Sequence, residues 1–474
     1  GRPQTSFSLF RKPLTSFDFG LQMATDSDER EAGCSHVVTI WEVNKERLDK
    51  MEKMISQTIP RLLSTAAGRR TCSIFRVPQS FIEINGNWYQ PRIVSIGPYH
   101  RGKPHLQMIE EHKWRYLHSL LSRTKPMGIT LEDYLKSIHS VEKDARECYS
   151  EAIHLSTDEF LEMMVLDGCF IIELFRKVND PVLFGPDDPL ATMTWILAFF
   201  YRDFLRLENQ IPFLVLEKLF EISKTSVQDS GLPLSLLAMR FFNNIIQRPD
   251  QVIEKCHGFK GLHLLELVRS SFIPSDQELP PHGGCTPTHI IHSVSKLRRS
   301  GIQLNPSKTE SSFLVVKFRR GVIEMPSITI DDFMSSFLVN CVAFEQCYNS
   351  YSKYVTTYVT LLDCLVNSQK DVEYLCDRNI IENYFGTEGE VAHFINNMGK
   401  DVAFDFDRCY LSNLFNDVNE YYQSSWHVQW ASFKYTYFDT PWSGISALAA
   451  FVLLLLTLAQ TFFTIYPYVH PRVP

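Results

Sequence analysis

Three histidines close to two glutamates are the residues whose types could bind a metal ion. His100 and His105 precede Glu110 and Glu111, and His112 follows them directly. Imidazole and carboxylate groups are zinc ligands, but known zinc sites space them in patterns that this stretch does not follow. We therefore favour surface or loop histidines here, with a metal site as the alternative.

A second pair, His289 and His292, would share one helix face because its members are three positions apart. The pair has no cysteine or carboxylate partner, so it is a poor metal site. The nucleophile elbow, phosphate-binding glycine loop, dinucleotide fingerprint and His-Glu-x-x-His motif are all missing from the sequence. We therefore predict no catalytic residue, no cofactor and no metal ion.

The apolar segment from Phe160 to Phe175 carries Asp167, Gly168 and Cys169 near its middle. A nucleophilic cysteine needs exposure and a lowered pKa, whereas this setting predicts burial. A buried Asp167 needs a hydrogen-bonding or cationic partner. We interpret Asp167 as a structural polar anchor within a core helix that is too short and too interrupted to span a membrane.

Glu208, Asn209 and Gln210 form the most unusual polar cluster, because apolar residues flank it on both sides. Pro212 requires the preceding helix to end and allows a new one to begin. The carbonyls freed there, and the amides of the next helix, need partners that these side chains can supply. We favour this structural role; contact with a ligand or partner is the alternative.

The elements that position these residues are mostly helical, by their hydrophobic periodicity. Helices are predicted over 41–64, 106–123, 131–154, 157–178, 190–210, 289–299, 331–349, 351–367, 388–398 and 406–431, with another beginning at Pro212. Strands are predicted over 73–77, 93–96, 313–318 and 322–325, with turns at 85–87 and 320–321. The fold class is α+β: a predominantly α-helical globular body with small β elements, plus one C-terminal transmembrane helix.

The domain organisation follows from composition. We predict a disordered segment over 1–40, a helical N-terminal part over 41–273, a Pro/Gly-rich linker over 274–288 and a C-terminal part over 289–440. A transmembrane helix over 441–466 and a short tail over 467–474 complete the chain.

The C-terminal helix is predicted from 30 consecutive positions, 440–469, without Asp, Glu, Lys, Arg or His. About 20 apolar residues suffice to cross a bilayer, and aromatic residues favour its two interfaces. A buried core helix and a cleaved lipid-anchor signal are the alternatives. The residues that we assign to the anchor are Trp442, Leu453, Leu456, Phe463 and Tyr466.

The side of the membrane is inferred from weaker features. The chain has 11 cysteines, an odd number without a Cys-x-x-Cys pair, and the proline after Asn305 disables its single Asn-x-Ser/Thr sequence. The first 40 residues contain no signal peptide. We expect tail-anchored insertion, a cytosolic body and a plasma-membrane location. The net charge of -7 argues against nucleic acid as a partner.

Several segments together resemble the plant family labelled domain of unknown function 247. They are Ile74 to Pro78, Tyr89 to Pro91, Val94 to His100, Glu111 to Lys113, Leu166 to Phe170, Leu207 to Phe213, and Phe344 to Cys347, which includes Glu345 and Gln346. The C-terminal apolar segment also has the family's position, so the similarity covers about residues 40 to 468. Arg299-Ser300 before Gly301 departs from the family's usual residues there.

The resemblance implies a plant single-pass membrane protein with no established catalytic activity. Some grass members are implicated as pollen-side determinants of self-incompatibility, and Leu264 to Pro274 is similar to those members. We therefore hypothesise a membrane-anchored recognition or signalling protein. Its partners would be the lipid bilayer and a protein, such as a secreted peptide or protein ligand. A membrane-tethered enzyme with an unfamiliar site and a scaffold in defence or growth are the alternatives.

Overall fold

The computed structural model describes residues 44–65, 72–184, 188–225, 232–274, 290–307, 312–348, 352–406, 408–423 and 441–469. The described residues divide into two units at the boundary between Thr58 and Ile59. The predicted disordered segment, nearly all of the predicted linker and His289 lie outside the described residues. Within them the predicted fold class is confirmed, with many helices, a few short strands and one apolar C-terminal helix.

The helices of the first half include most of the long ones in the body. They are α1 Lys45–Thr65, α2 Gln79–Asn85, α3 Gln107–Thr124, α4 Leu131–His139, α5 Glu142–Glu147, α6 Thr157–Asn179, α7 Pro189–Thr192, α8 Thr194–Asp203, α9 Phe213–Ile222, α10 Leu234–Ile246, α11 Asp250–Glu254 and α12 Leu264–Ser270. The predicted helices over 131–154 and 190–210 are each broken in two, and the latter ends at Asp203.

The second half continues with helices around two small sheets. Its helices are α13 Val294–Arg299, α14 Asp332–Cys347, α15 Tyr354–Leu365, α16 Gln369–Asp377, α17 Glu388–Met398, α18 Ser412–Gln423 and α19 Pro441–Val469. Its strands are β1 Gln303–Ser307, β2 Lys317–Arg319, β3 Val322–Pro326, β4 Ile328–Ile330 and β5 Ile381–Asn383.

The two sheets are small and mostly parallel. In the first, of order β1-β3-β2, β1 runs parallel to β3 with Leu304 opposite Ile323, and β2 runs antiparallel to β3. The second pairs β4 with β5 in parallel. The predicted tight turn at Arg320-Gly321 is confirmed: both residues have positive φ, 50° and 80°, as a two-residue hairpin of this kind requires.

Helix α6 is the centre of the body and packs against α3, α4, α9 and α10. Ser156 and Glu159 form a capping box at its start. It is apolar nearly all round, and every residue from Phe160 to Lys177 except Glu162 is buried, which confirms the predicted core helix. At Gly168 a Cβ would lie 2.4 Å from Cδ1 of Leu219, so glycine permits the close approach of α9.

Two strand predictions in the first half were wrong. Residues 73–77 form only one bridge, between Ile74 and Tyr149, and residues 93–96 have no regular secondary structure. The predicted turn at 85–87 is instead the junction between α2 and a short 3-10 helix, Gly86–Trp88. Apolar alternation was misleading at 93–96 because the side chains of Asp203 and Asn209, and not a neighbouring strand, bind the amides of Ile93, Val94 and Ile96. At 73–77 the amides of Ser73 and Ile74 both donate to the carbonyl of Cys148, which forms a bridge but no strand.

Helix α19 contains a 21-residue apolar span, Ile445–Ile465. The most apolar part of this span has a mean hydropathy of 2.2, and none of that part is buried. It is the one helix among the described residues that is long and apolar enough to cross a membrane. Leu453, Leu456 and Phe463 are exposed on it. Trp442 and Tyr466 lie within its bounds, but their side chains are outside the described part.

Candidate functional site

The segment before residue 97 is buried without a strand partner, and Asp203 at the end of α8 supplies much of what its backbone needs. The Asp203 carboxylate accepts hydrogen bonds from the amides of Arg92 (2.9 Å), Ile93 (2.9 Å) and Val94 (3.2 Å). Burial raises its pKa, although Arg206, whose Nε lies 3.1 Å away, opposes the shift. Burial also lowers the pKa of Arg206 to about 10.

Asn209 binds the same segment further along. Its Oδ1 accepts a hydrogen bond from the amide of Ile96 at 2.8 Å. Its Nδ2 donates to the carbonyls of Val94 (3.1 Å) and Asp203 (2.9 Å). One amide side chain therefore joins the end of α8 to the irregular segment and supplies partners for three backbone groups at this junction.

Gln210 is the neighbouring residue of the cluster and satisfies the end of α8. Its Nε2 donates to the carbonyls of Phe204 (2.7 Å) and Arg206 (2.8 Å), while its Oε1 accepts from the amide of Leu265 in α12. The freed carbonyls thus have the partners that the sequence suggested. We also expected the cluster to bind amides of the next helix, α9. Gln210 instead binds an amide of α12, and the N-cap of α9 is Pro212.

Asp167 lies 3% exposed in α6 and has the cationic partner that its burial requires. Its Oδ1 is 2.6 Å from Nζ of Lys113 in α3, and its Oδ2 accepts from the amide of Gly97 at 2.8 Å. Lys113 also donates to the carbonyl of Ser95. The pair therefore joins two helices and the irregular segment at one point.

Glu208 contacts Arg76, whose side chain is 39% exposed. Its carboxylate accepts from the amide of Val77 at 2.8 Å and lies 3.1 Å from Arg76 and 3.2 Å from Nε2 of His100. Burial raises its pKa, but the His100 and Val77 contacts and the charge of Arg76 together hold it below its usual value. Burial lowers the pKa of His100.

Glu345 and Gln346 of α14 perform a similar task in the second half. Glu345 contacts Arg269 at 2.7 Å and accepts hydrogen bonds from the amides of Val355 and Thr356, so it caps the first turn of α15. Gln346 exchanges two hydrogen bonds, of 3.1 and 3.2 Å, with the backbone of residue 403.

The histidines and the cysteine proposed for chemistry are not brought together. His105 contacts the carbonyl of Pro91 and His112 is half-buried, and among the described residues no three His, Cys, Asp or Glu side chains are placed to hold a metal ion. Cys169 is fully buried, and burial raises the pKa of its thiol well above the usual value. His292 packs against Tyr422 with ring centroids 4.4 Å apart and the ring planes tilted by 47°.

Three buried residues of this region were not predicted from the sequence: Asp203, Arg206 and His263. The last is fully buried, caps α12 through Nδ1 and donates from Nε2 to the carbonyl of Ser73 at 3.1 Å. Asp203 and Arg206 lie within six positions of the polar cluster, so their proximity was the available signal. Nothing local marks His263.

An apolar groove of about 390 Å³ lies between α3, α6 and the neighbouring helix α4. We call it the α3–α6 groove. Six apolar side chains line it: Trp114, Leu117, Leu131, Leu135, Leu161 and Val165. Asp158 and Glu162 complete the lining, and both are exposed. Asp167 and Glu208 are 3% and 6% exposed, and neither lines this groove or the grooves of about 440 and 450 Å³ elsewhere.

The chain is similar to members of one plant protein family. The model of DUF247, described as a plant protein of unknown function, matches residues 74–456. UPF0481 protein At3g47200 of Arabidopsis thaliana is 38% identical over 434 residues, covering 87% of this chain and 90% of the relative. Putative UPF0481 protein At3g02645 of the same plant is 24% identical over 497 residues, covering 84% and 90%. No solved structure matches the chain.

Proposed function

This chain belongs to DUF247, a plant family of unknown function, and on that premise we propose that it is a membrane-anchored recognition or signalling protein that acts through protein–protein contact. The observation that carries the proposal is the apolar span Ile445–Ile465, none of whose most apolar part is buried. An exposed apolar helix of this length is stable in lipid and not in water.

The motif residues support recognition only indirectly. Asp167, Glu208, Asn209, Gln210 and Glu345 are all buried and bound to neighbouring backbone or side chains. Side chains fixed in this way hold the body together and are not free for a partner. A surface that distinguishes partners must therefore be built from other residues.

The α3–α6 groove is the surface that we assign to the partner. Trp114 is 49% exposed at its edge, and exposed tryptophan beside an apolar pocket is typical of residues that dominate binding energy. The two charged residues that line it, Asp158 and Glu162, are both acidic. Glu162 is only loosely paired with Arg101, at 3.6 Å in solvent.

This combination suits a polypeptide segment that inserts apolar side chains and carries basic residues beside them. The proposed partner is therefore a peptide or protein with such a segment.

The proposed role in self-incompatibility rests on the similarity of Leu264 to Pro274 to grass family members. Most of that stretch forms α12, and all residues of α12 except Ser270 are buried, so it contributes to the core and not to a contact surface. We infer that the allele-specific residues lie elsewhere, with the α3–α6 groove as the first candidate.

The recognition proposal is tested with the full chain in lipid nanodiscs and stigma extracts from plants of known alleles. We expect the wild-type chain to retain one protein from the extract of the matched allele. The same protein should bind the Trp114→Ala variant at least about tenfold more weakly than the wild type. Met108→Ala, an exposed apolar residue on the same helix outside the groove, is the matched control. Equal retention from every allele would contradict allele recognition, and unchanged binding by Trp114→Ala would exclude the groove.

The body is proposed to face the cytosol at the plasma membrane. All nine cysteines within the described ranges are free thiols, as expected for a reducing compartment. Protease added to intact vesicles should then remove the body without detergent. Survival of the body until detergent is added would place it on the other side, where it could meet a secreted ligand directly.

A further inference from the structure

Five exposed basic residues, which we call the basic patch, lie on two neighbouring elements: Lys296, Arg298 and Arg299 on α13, and Arg319 and Arg320 at the β2–β3 hairpin. No carboxylate in the described part of the chain forms an ion pair with any of them. Glu324, the one carboxylate described on α13 and these strands, lies opposite Lys317 in the β2–β3 register. Residues 290–326 carry seven Lys or Arg and two Glu, a net charge of +5, whereas the whole chain carries -7. Positive charge is therefore concentrated in one place on an acidic chain.

The first sheet brings the two elements of the basic patch together. The amide of Gln303 in β1 donates to the carbonyl of Gly321 in the hairpin turn at 2.9 Å. Gln303 and Arg319 are both cross-strand partners of Val322, so their side chains lie on one face of the sheet. Helix α13 ends at Arg299, four positions before Gln303. The basic patch is therefore one surface and not two separate clusters.

The last turn of α18 contacts both elements that carry the basic patch. The ring centroid of Tyr421 lies 5.9 Å from that of Phe318 in β2, and Tyr422 lies 4.4 Å from His292, two positions before α13. Helix α18 ends at Gln423, and 17 residues separate it from α19. Even fully extended, a segment of this length spans at most about 60 Å. The basic patch therefore adjoins the point at which the chain leaves the body toward its apolar span.

This position favours an anionic lipid surface as the partner. A cluster of arginines attracts any dense negative charge, including nucleic acid and acidic proteins. The lipid surface is the one that the chain's own anchor keeps within reach of the patch in every molecule. Basic residues beside a membrane anchor are attracted to the anionic lipids of the cytoplasmic leaflet, and the body is proposed to lie on that side. Guanidinium groups also match the geometry of phosphate and carboxylate oxygens.

We propose that the basic patch binds anionic phospholipid headgroups of the membrane in which α19 is inserted. The contact adds a second, charge-dependent attachment to the anchor and turns this face of the body toward the lipid. Each basic residue close to such a surface strengthens the attraction about fivefold. The inference rests on the insertion of α19, which carries the proposed function, and not on the recognition role.

Photo-crosslinking of the full chain in liposomes tests the contact. Gln303, which is exposed beside the patch, is replaced by a photoreactive residue, Gln303→p-benzoylphenylalanine. The liposomes contain phosphatidylcholine alone or with about 30% phosphatidylserine. We expect at least about tenfold more cross-link to lipid when phosphatidylserine is present. The cross-link should disappear at about 1 M salt, where charges are screened within about 3 Å.

A matched pair of triple variants tests the residues. The first variant removes three charges of the patch, and asparagine suits the positive φ of 50° at position 320: Arg299→Gln, Arg319→Gln and Arg320→Asn. The second removes three charges from exposed lysines of other elements: Lys125→Gln, Lys136→Gln and Lys143→Gln. With phosphatidylserine present, the first should lower the cross-link yield at least about tenfold and the second should leave it within about twofold. Equal yields from the two variants would overturn the proposal.

Resistance of the chain to extraction by alkaline carbonate reports the insertion of α19 separately. An inserted chain whose cross-link yield is the same in both lipid mixtures contradicts the lipid contact and leaves the anchor intact. A chain that carbonate extracts contradicts the anchor, and with it both the proposed function and this contact. A cross-link to an acidic protein or to nucleic acid from a plant extract, in place of lipid, would also overturn the proposal.

Discussion

Nζ of Lys113 lies 2.6 Å from Oδ1 of Asp167, and both side chains are buried between α3 and α6. Apolar side chains alone allow two helices to slide by small steps, whereas a buried ion pair has one favourable geometry. The second Asp167 oxygen binds the amide of Gly97, so the same carboxylate also positions the irregular segment. The α3–α6 groove lies on the helices that this pair holds together.

Replacing Asp167 by alanine should lower the free energy of unfolding of the body by about 1–3 kcal/mol, because the amide of Gly97 loses its acceptor and Lys113 keeps only its second carboxylate partner, Glu110, at 2.7 Å. Glu162→Ala, five positions away on the same helix, removes an exposed pair and should cost less than about 1 kcal/mol. Thermal unfolding of the full chain in detergent micelles measures both. Similar losses from the two variants would contradict the role of the buried pair.

Glu208 and Glu151 both contact Arg76, which allows a matched comparison. Glu208 is nearly buried and also binds Val77 and His100, whereas Glu151 is exposed. Glu208→Gln keeps the shape but removes the charge from these contacts, and should cost about 1.5–3 kcal/mol. Glu151→Gln should cost less than about 1 kcal/mol. If both variants unfold at the wild-type temperature, the contacts of Glu208 do not stabilise the body.

Gly97 should not tolerate alanine. Its φ is +73°, and a Cβ there would lie 2.5 Å from the carbonyl oxygen of Gln210, which is backbone and cannot move aside. Gly102→Ala is the control, since φ is +80° but a Cβ would meet no atom within 4 Å. The control should cost about 1–2 kcal/mol, and Gly97→Ala should cost more than about 4 kcal/mol. Equal shifts in unfolding temperature would mean that the contact with Gln210 is not rigid.

His263 should make the body sensitive to mild acid. Burial lowers the pKa of its imidazole to about 3, whereas the unfolded side chain titrates near 6.5. Between these values the unfolded state binds more protons, so stability is complete above about pH 6.5 and falls as the pH is lowered, by up to about 1.4 kcal/mol per pH unit.

His263→Asn retains a capping side chain without a titrating ring and tests this dependence. The variant should be less stable than the wild type at pH 7.5, and the difference should shrink towards pH 5. His105→Asn, at an exposed position, should follow the wild-type curve. Parallel curves for wild type and His263→Asn would show that His263 does not cause the acid sensitivity.

The elements predicted most accurately are those for which local pattern is sufficient. Helix α6 was predicted over 157–178 and spans Thr157–Asn179, because a capping box begins it and apolar residues continue through it. The hairpin at Arg320-Gly321 follows from two residues that adopt positive φ. The prediction of a strand at 93–96 was wrong because amides of this segment bind Asp203 and Asn209. These partners lie more than 100 positions away, and no local pattern encodes them.

The sequence by itself determined that the chain has an apolar C-terminal helix of membrane-spanning length, since the hydrocarbon thickness and residue hydrophobicity are sufficient for that inference. It also determined that the polar residues inside apolar segments need partners. Only the tertiary structure decided which partners these are: Lys113 for Asp167, Val77 and Arg76 for Glu208, and Arg269 for Glu345. The physical reason is that the desolvation cost of a buried polar group is a local property, whereas the atom that offsets it comes from whichever distant segment the folded chain brings near.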